Sequence, residues 1–89
     1  MKNILIKVFG KSTNPDIRLL LGATVEAVSI DGSTSFKASF DASSEAFLLL
    51  IPLHPVHYRI IVAYPGYASQ RRYFRSDNSP EEQFFILME

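Results

Sequence analysis

The sequence predicts an all-β protein folded as one sandwich domain, and three observations lead to this prediction. Apolar and polar residues alternate with a period of two in several short segments, a pattern typical of half-buried strands. Turn-forming pairs such as Asp31-Gly32 and Pro65-Gly66 separate these segments at intervals of roughly ten residues. No segment carries a convincing helical periodicity, and 89 residues suit a single domain covering 1–89.

The clearest strand lies in the segment His57–Tyr67, HYRIIVAYPGY. Its richer face carries Tyr58, Ile60, Val62 and Tyr64. Pro65-Gly66 ends the strand, because Pro fixes φ at the second turn position and Gly accepts the positive φ that a type II turn needs at the third. We therefore expect a sharp reversal, with the ring of Tyr67 folded back over the end of the core.

The remaining strands follow from the same alternation. In chain order they are Ile4–Phe9, Ala23–Ile30, Phe36–Asp41, Phe47–Ile51, Ser69–Arg75 and Phe84–Met88, which gives about seven strands in all. Ile17–Leu21 is interpreted as an extended connection or edge strand, with a short helix as the alternative. Asp31-Gly32 predicts a hairpin between two of these strands, and Pro52 and Pro55 prevent the Phe47–Ile51 strand from continuing.

The faces of these strands predict a core. We expect the following residues to be largely buried: Ile4, Ile6, Val8, Val25, Phe36, Phe40, Phe47, Leu49, Tyr58, Ile60, Val62 and Phe84. A hydrophobic content of 47% is high for so small a domain, which hints that some apolar surface meets another domain or subunit.

Charge and composition narrow the function classes. Nine basic and nine acidic residues cancel, so no global field favours nucleic acid, and no nucleic-acid partner is expected. No apolar run approaches the length of a membrane span, so no membrane insertion is expected. The first seven residues, interrupted by Lys7, do not resemble a signal peptide, and with no cysteine in the chain the localisation stays unknown.

Several motifs together resemble a known family. Leu21-Gly22-Ala23-Thr24-Val25, the strand after His57 and the Pro65-Gly66-Tyr67 turn are similar to carboxypeptidase regulatory-like domains. These are transthyretin-like (prealbumin-type) sandwiches related to the B repeats of collagen adhesins, and the resemblance implies a seven-stranded Greek-key β-sandwich. The sequence departs from the family pattern at 43–45, where a Gly is usual before the aromatic residue, and at 54–57.

The resemblance implies two possible reactions, and this sequence lacks residues that each of them requires. An internal Lys–Asn or Lys–Asp amide of the adhesin type has Lys7 as its candidate amine, but Val62 occupies the position expected for the assisting acid. The hydroxyisourate hydrolases, which share the transthyretin fold, carry a C-terminal Tyr-Arg-Gly-Ser that this chain does not have. We therefore expect no catalytic residues and no enzyme activity.

Two histidines are the remaining candidates for a chemical site. His54 and His57 lie three residues apart, but zinc needs three or four ligands and the chain has no cysteine or third histidine. The sequence predicts no metal site and no cofactor. An enzyme with an unrecognised site near His54 and His57 is kept as the second alternative.

Interaction is the leading interpretation. Arg71, Arg72, Tyr73 and Arg75 form an Arg/Tyr-rich strand of the kind enriched at protein interfaces. Nucleic-acid binding by such a segment is the weaker reading because the net charge is zero. We expect a structural or accessory module that contacts a protein partner or a second copy. The alternative is a carbohydrate- or peptide-binding module that uses end loops and the rings of Tyr64, Tyr67 and Tyr73.

A second candidate interface is the edge segment that contains Leu19, Leu20 and Leu21. It carries one charge among four large apolar residues in Ile17–Leu21, whereas the strand at 69–75 is defended by three arginines. We expect an exposed apolar ledge at Leu19–Leu21 that docks on a neighbouring subunit or domain.

Overall fold

A computed structural model describes residues 2–11, 17–51, 57–75 and 81–89, and these residues form nine strands with no helix. The strands are β1 (Lys2–Lys11), β2 (Ile17–Leu19), β3 (Thr24–Ser29), β4 (Ser35–Lys37), β5 (Ser39–Asp41), β6 (Ala46–Ile51), β7 (His57–Ala63), β8 (Gln70–Arg75) and β9 (Glu82–Met88). The predicted all-β class is therefore confirmed. Three predicted turn or loop segments, 12–16, 52–56 (with His54, Pro52 and Pro55) and 76–80, lie outside the described residues.

The strands form two sheets. In the first sheet β1 is central: β6 pairs antiparallel with its residues 2–6, β2 with residues 9–11, and β9 runs parallel to it over residues 5–11. β5 extends this sheet beyond β6. The second sheet is antiparallel in the order β4-β3-β7-β8. The two sheets pack their inner faces together, as in a β-sandwich.

The core lies between the sheets and draws on both. Fully buried side chains from the first sheet include Ile4, Ile6, Leu49 and Phe85, and those from the second include Tyr58, Ile60 and Val62. Nine of the twelve residues predicted for the core are buried: Ile4, Ile6, Val8, Val25, Phe47, Leu49, Tyr58, Ile60 and Val62. Phe36 is partly buried against the cluster.

Two predicted core residues, Phe84 and Phe40, are instead exposed. β9 turns Gln83, Phe85 and Leu87 inward, so Phe84 is 52% exposed and faces outward. The residues on both faces of this strand are apolar, so the sequence pattern does not show which face is buried. Phe40 is 44% exposed because β5 is an edge strand, although its ring packs edge-on against Phe47 at 5.4 Å.

The predicted strand Phe36–Asp41 is two strands that belong to different sheets. β4 pairs with β3, and β5 pairs with β6. Between them, the N–H of Ala38 donates to the carbonyl of Val25 at 3.1 Å as the chain crosses from one sheet to the other. The strand count rises above the predicted seven partly because this edge segment changes sheets.

Both predicted turns are present. Gly32 (φ 76°) lies in the β3–β4 hairpin, and Gly66 (φ 87°) follows Pro65 with the N–H of Tyr67 donating to the carbonyl of Tyr64 at 3.1 Å. The ring of Tyr67 then folds onto β1, where a Cβ added at Gly10 would lie 2.7 Å from Tyr67 Cε1. Gly10 is therefore needed for this close approach, and the expected position of Tyr67 over the core is confirmed.

Candidate interaction surfaces

The outer face of the first sheet is strongly apolar, and we call it the apolar face. Its exposed members are Ile17 (55%), Leu50 (50%), Phe84 (52%), Ile86 (43%) and Met88 (50%). Its half-buried members are Leu5, Phe9, Leu19 and Leu48. The register of β1 with β2, β6 and β9 places these side chains on one surface, which also carries Asn3, Lys7, Lys11 and Glu82. Adjacent apolar residues of this kind on a free surface are typical of interaction sites.

The sequences of three strands explain why this face is apolar. β1, β6 and β9 carry large apolar residues at both parities, as in ILIKVF, FLLLI and FFILM. Strands that are apolar on both sides are typical of sheets covered on both faces. Across the face, the rings of Phe9 and Phe84 stack with centroids 6.3 Å apart. The first sheet therefore has the composition of a sheet that is covered on both faces. Among the described residues, only its inner face is covered.

Lys7 is the charged residue at the centre of the apolar face. It is half-buried in the middle of β1, in register with Phe84 on β9. Lys11 follows at the end of the same strand. Val62, the position compared with an assisting acid, points into the core. Lys7, in register with the outward-facing Phe84, lies on the outer side of the first sheet. Amide formation assisted by burial needs a lysine in the interior of the domain.

The predicted ledge at Leu19–Leu21 is only partly exposed. Leu20 is 1% exposed, its N–H donates to the carbonyl of Val8 at 2.9 Å, and its side chain closes over Gly10. Leu20 therefore belongs to the domain's own core, and the expectation of an accessible Leu20 is wrong. Leu19 lies on the apolar face opposite Phe9, and Leu21 is 47% exposed. Leu20→Asp is accordingly expected to unfold the domain and not to release a folded monomer.

The outer face of the second sheet is basic, and we call it the basic face. Arg71, Tyr73 and Arg75 point outward from β8, and Tyr73 is 62% exposed. Arg59 of β7 is in register with Tyr73, and Lys37 of β4 lies on the same side. Three of the predicted interface residues, Arg71, Tyr73 and Arg75, are therefore brought together on one face.

Arg72 lies on the opposite side of β8 from the other predicted arginines. Its guanidinium carbon is 4.0 Å from the centroid of the buried Phe85 ring, and its Nη1 donates to the carbonyl of Phe84 at 3.2 Å. Gln70 Nε2 donates to the carbonyl of Ile86, and the N–H of Ala68 donates to the carbonyl of Met88 at 2.8 Å. Alternate residues next to and within β8 thus cap alternate carbonyls on the outer edge of β9. Such capping protects an edge strand from pairing with another chain.

A shallow groove opens where this capping ends. It has a volume of about 310 Å³ and is lined by Arg72, Phe74, Glu82, Gln83 and Phe84. Gln83 is 4% exposed, and neither its amide nitrogen nor its amide oxygen has a hydrogen-bond partner among the described residues. Burying an unpaired amide costs free energy, so Gln83 is a weak point of the core.

The rings proposed for carbohydrate stacking do not form a common exposed platform. Tyr64 and Tyr67 are partly buried against the core and pack edge-to-face with centroids 5.6 Å apart. Tyr73 is exposed, but it lies on the basic face of the second sheet. The structure therefore separates the three aromatic residues that the carbohydrate alternative grouped together.

The hydrogen-bonded carboxylates serve the turns. The N–H of Ser33 donates to Asp31 Oδ1 at 3.0 Å, and the hydroxyls of Ser29 and Ser33 donate to the same atom at 2.7 Å. These bonds lower the pKa of Asp31 from 3.8 to about 2. Hydroxyl bonds from Ser44 and Ser43 likewise lower the pKa of Asp41. Both groups are acceptors that close turns, which is a structural role.

The structure describes one of the two candidate histidines. His54 lies outside the described residues, and His57 is exposed at the start of β7. Within the part of the chain that the structure describes, no cluster of three or more His, Cys, Asp or Glu side chains is arranged to hold a metal ion. The same residues include no helix with the length and hydrophobicity needed to cross a membrane.

Comparisons with known proteins leave the family open. No protein-family model matches the chain, and no curated protein matches it. The outer faces of the two sheets are therefore the features from which a function is inferred.

Proposed function

We propose that this chain is a non-catalytic structural or accessory module that docks on another polypeptide of a larger assembly through its apolar face. The observation that carries the proposal is the set of exposed Ile17, Leu50, Phe84, Ile86 and Met88 on the outer side of a sheet that is also apolar inside. Removing such a surface from water contributes roughly 25 cal/mol for each Å² of apolar area, and this term must exceed the entropy cost of association.

The occupant we propose is a different polypeptide with an apolar surface and a carboxylate opposite Lys7. A two-fold dimer with its axis at the centre of this face would bring two copies of the half-buried Lys7 toward each other, whereas Glu82 lies at the edge of the face. Like charges in such a place cost free energy, whereas a partner carboxylate satisfies the ammonium group. Charge complementarity therefore favours a heterologous partner over a second copy.

The sandwich type is part of the same proposal. Gly22-Ala23-Thr24-Val25 leads into β3, and Pro65-Gly66-Tyr67 follows β7, as expected for a carboxypeptidase regulatory-like, prealbumin-type domain with a Greek-key arrangement. Glu45 adopts a left-handed conformation (φ 53°) one residue before β6, near where that family usually has Gly. These local features support the resemblance.

The native size of the chain in extracts of its source cells tests the proposal. Wild-type protein should elute in an assembly much larger than its 10.0 kDa monomer. Ile86→Asp places a charge on the apolar face without touching the core, so it should release a folded monomer with an unchanged β-type circular dichroism spectrum.

Ile30→Asp is the matched control. Ile30 is 53% exposed but lies at the β3–β4 hairpin, away from the apolar face, so this variant should stay in the assembly. Monomeric wild-type protein in the extract, or an Ile86→Asp variant that remains assembled, would refute the docking role. Release of both variants would show that the apolar face is not the surface responsible.

A further inference from the structure

The groove between β8 and β9 has a buried amide without a partner in its wall. Gln83 is 4% exposed, and neither its Nε2 nor its Oε1 makes a hydrogen bond among the described residues. This state costs free energy, because a donor and an acceptor have both been removed from water. Gln83 also lines the groove of about 310 Å³. A ligand in the groove that offered one donor and one acceptor would satisfy both atoms.

The groove lies where the outer edge of β9 is open. Donors at alternate residues from 68 to 72 cap the carbonyls of alternate residues from 88 back to 84. The next residue of β8 that points inward is Phe74, and its side chain has no donor. Phe74 therefore cannot cap the carbonyl of Glu82 as Arg72 caps that of Phe84.

The main chain of Glu82 is directed to this open edge. On the side of β1, the carbonyl of Glu81 accepts from the N–H of Leu5 at 2.8 Å. On the other side, the carbonyl of Phe84 accepts from Arg72. Successive residues of a strand direct their main-chain groups to opposite sides, so the N–H and C=O of Glu82 point to the outer edge. An extended chain can pair with these two groups.

The charges at the groove favour an uncharged ligand. Arg72 and Glu82 both line it, so a ligand of either sign would meet a like charge. Arg72 is already bound to the carbonyl of Phe84 and covers the ring of Phe85. Phe74 and Phe84 supply apolar walls. A neutral amide side chain between apolar neighbours therefore suits the groove better than a carboxylate or an ammonium group does.

We propose that the groove binds an extended segment of a protein partner that carries a glutamine or asparagine. The segment pairs with the main chain of Glu82, and its amide side chain enters the groove and exchanges two hydrogen bonds with the amide of Gln83. The amide of Gln83 breaks no hydrogen bond with a described residue when it turns toward the ligand. Apolar side chains of the segment pack on Phe74 and Phe84.

This binding is a second interaction beside docking of the apolar face. Glu82 and Phe84 lie on both surfaces, whereas Gln83 is on the core side of β9. Leu50→Asp separates the two, because Leu50 is 50% exposed on β6, across β1 from β9. It changes the apolar face and leaves the groove intact.

Fluorescence anisotropy with short labelled peptides of Val and Thr tests the inference. A peptide with one central Gln should bind wild-type protein about tenfold more tightly than the same peptide with Leu or Glu at that position. Gln83→Met replaces the amide by an apolar group of similar length, so a folded variant should lose this preference. Leu50→Asp is the matched control and should keep it.

NMR identifies the contact in the wild-type protein. The side-chain NH₂ signals of Gln83, assigned by their absence from the Gln83→Met spectrum, should shift when the Gln peptide is added. The main-chain N–H of Glu82 should exchange more slowly with solvent. The peptide comparison and the exchange of Glu82 use wild-type protein, so they test the inference even if Gln83→Met fails to fold.

Four results would overturn the inference. They are no binding of the Gln peptide, equal binding of the Gln and Leu peptides by wild-type protein, an unchanged preference in folded Gln83→Met, and unshifted Gln83 signals. Loss of binding in Leu50→Asp together with full binding in Gln83→Met would assign the peptide to the apolar face and would also overturn it.

Discussion

Arg72 covers the buried ring of Phe85 and at the same time caps the neighbouring carbonyl of Phe84. The guanidinium carbon lies 4.0 Å from the ring centroid, and Nη1 is 3.2 Å from the carbonyl oxygen. One side chain from the second sheet thus closes the open side of the sandwich and occupies an acceptor on the edge of β9. A single residue therefore stabilises the core and blocks edge pairing.

Arg72→Ala should lower the free energy of unfolding by about 1–3 kcal/mol, because it removes a cation–π contact and a charged hydrogen bond. Urea denaturation monitored by circular dichroism measures this loss. Arg71→Ala is the matched control: Arg71 is the next residue and points outward, so the change should be within about 0.5 kcal/mol. Equal losses in the two variants would contradict the role assigned to Arg72.

Gln83→Met should stabilise the domain. Gln83 is 4% exposed and its amide has no hydrogen-bond partner among the described residues, so an apolar side chain of similar length removes an unpaired polar group from the core. The expected gain is about 1–3 kcal/mol in the free energy of unfolding. Thermal and urea denaturation measure it. A loss of stability would mean that the amide is satisfied in solution by ordered water or by another group.

Glu45→Gly should also stabilise the domain, for a backbone reason. Glu45 adopts a φ of 53°, where a side chain costs roughly 1–2 kcal/mol relative to glycine. Part of this gain is lost because glycine has more freedom in the unfolded chain. The net change should therefore be a small increase in the urea midpoint. Ala42→Gly, in the same turn but without a positive φ, should give no increase, and a larger gain there than at Glu45 would contradict the explanation.

The turn around Asp31 should carry an acid-sensitive contribution to stability. The pKa of Asp31 is lowered from 3.8 to about 2 by the N–H of Ser33 and the hydroxyls of Ser29 and Ser33. Because the pKa is lower in the folded state, the ionised group stabilises the fold at pH values above 3.8. That contribution is lost as the pH falls through about 2.

Carboxyl carbon NMR shifts followed through an acid titration measure this pKa directly. Ser33→Ala should raise the midpoint of Asp31 because it removes one donor, whereas Ser43→Ala, which affects the Asp41 turn, should leave it unchanged. An Asp31 midpoint near 3.8 in the wild-type protein would show that these hydrogen bonds do not persist in solution.

The sequence predicts the strands whose two faces differ in polarity. β7 alternates Tyr58, Ile60 and Val62 with more polar neighbours, and all three are buried as expected. The turns at Gly32 and Gly66 are predictable for a local reason, since both glycines adopt the positive φ that their turns require. Local residue chemistry is sufficient where it distinguishes one face or one dihedral angle from the others.

The first sheet is harder to predict because its strands are apolar on both faces. Phe84 and Phe85 are chemically alike, so only the pairing of β9 with β1 decides that Phe85 is buried and Phe84 exposed. The alternation pattern does not predict the apolar face for the same reason. The sequence signal for it is the run of apolar residues in FFILM, which is typical of a strand covered on both faces. The change of sheet at Ala38 and the burial of Leu20 likewise depend on tertiary contacts, with Val25 in one case and with Val8 and Gly10 in the other.

Docking of the apolar face on a different polypeptide can be tested directly by site-specific photo-crosslinking in the source cells. A photoreactive amino acid placed at Ile86 should crosslink to one discrete polypeptide other than this chain, and Lys7→Glu should abolish that product. The same probe at Ile30, which is more exposed than Ile86 but lies outside the face, should not give the product. Crosslinking from Ile86 to a second copy of this chain, or the same product from both positions, would contradict docking of the apolar face on a different polypeptide.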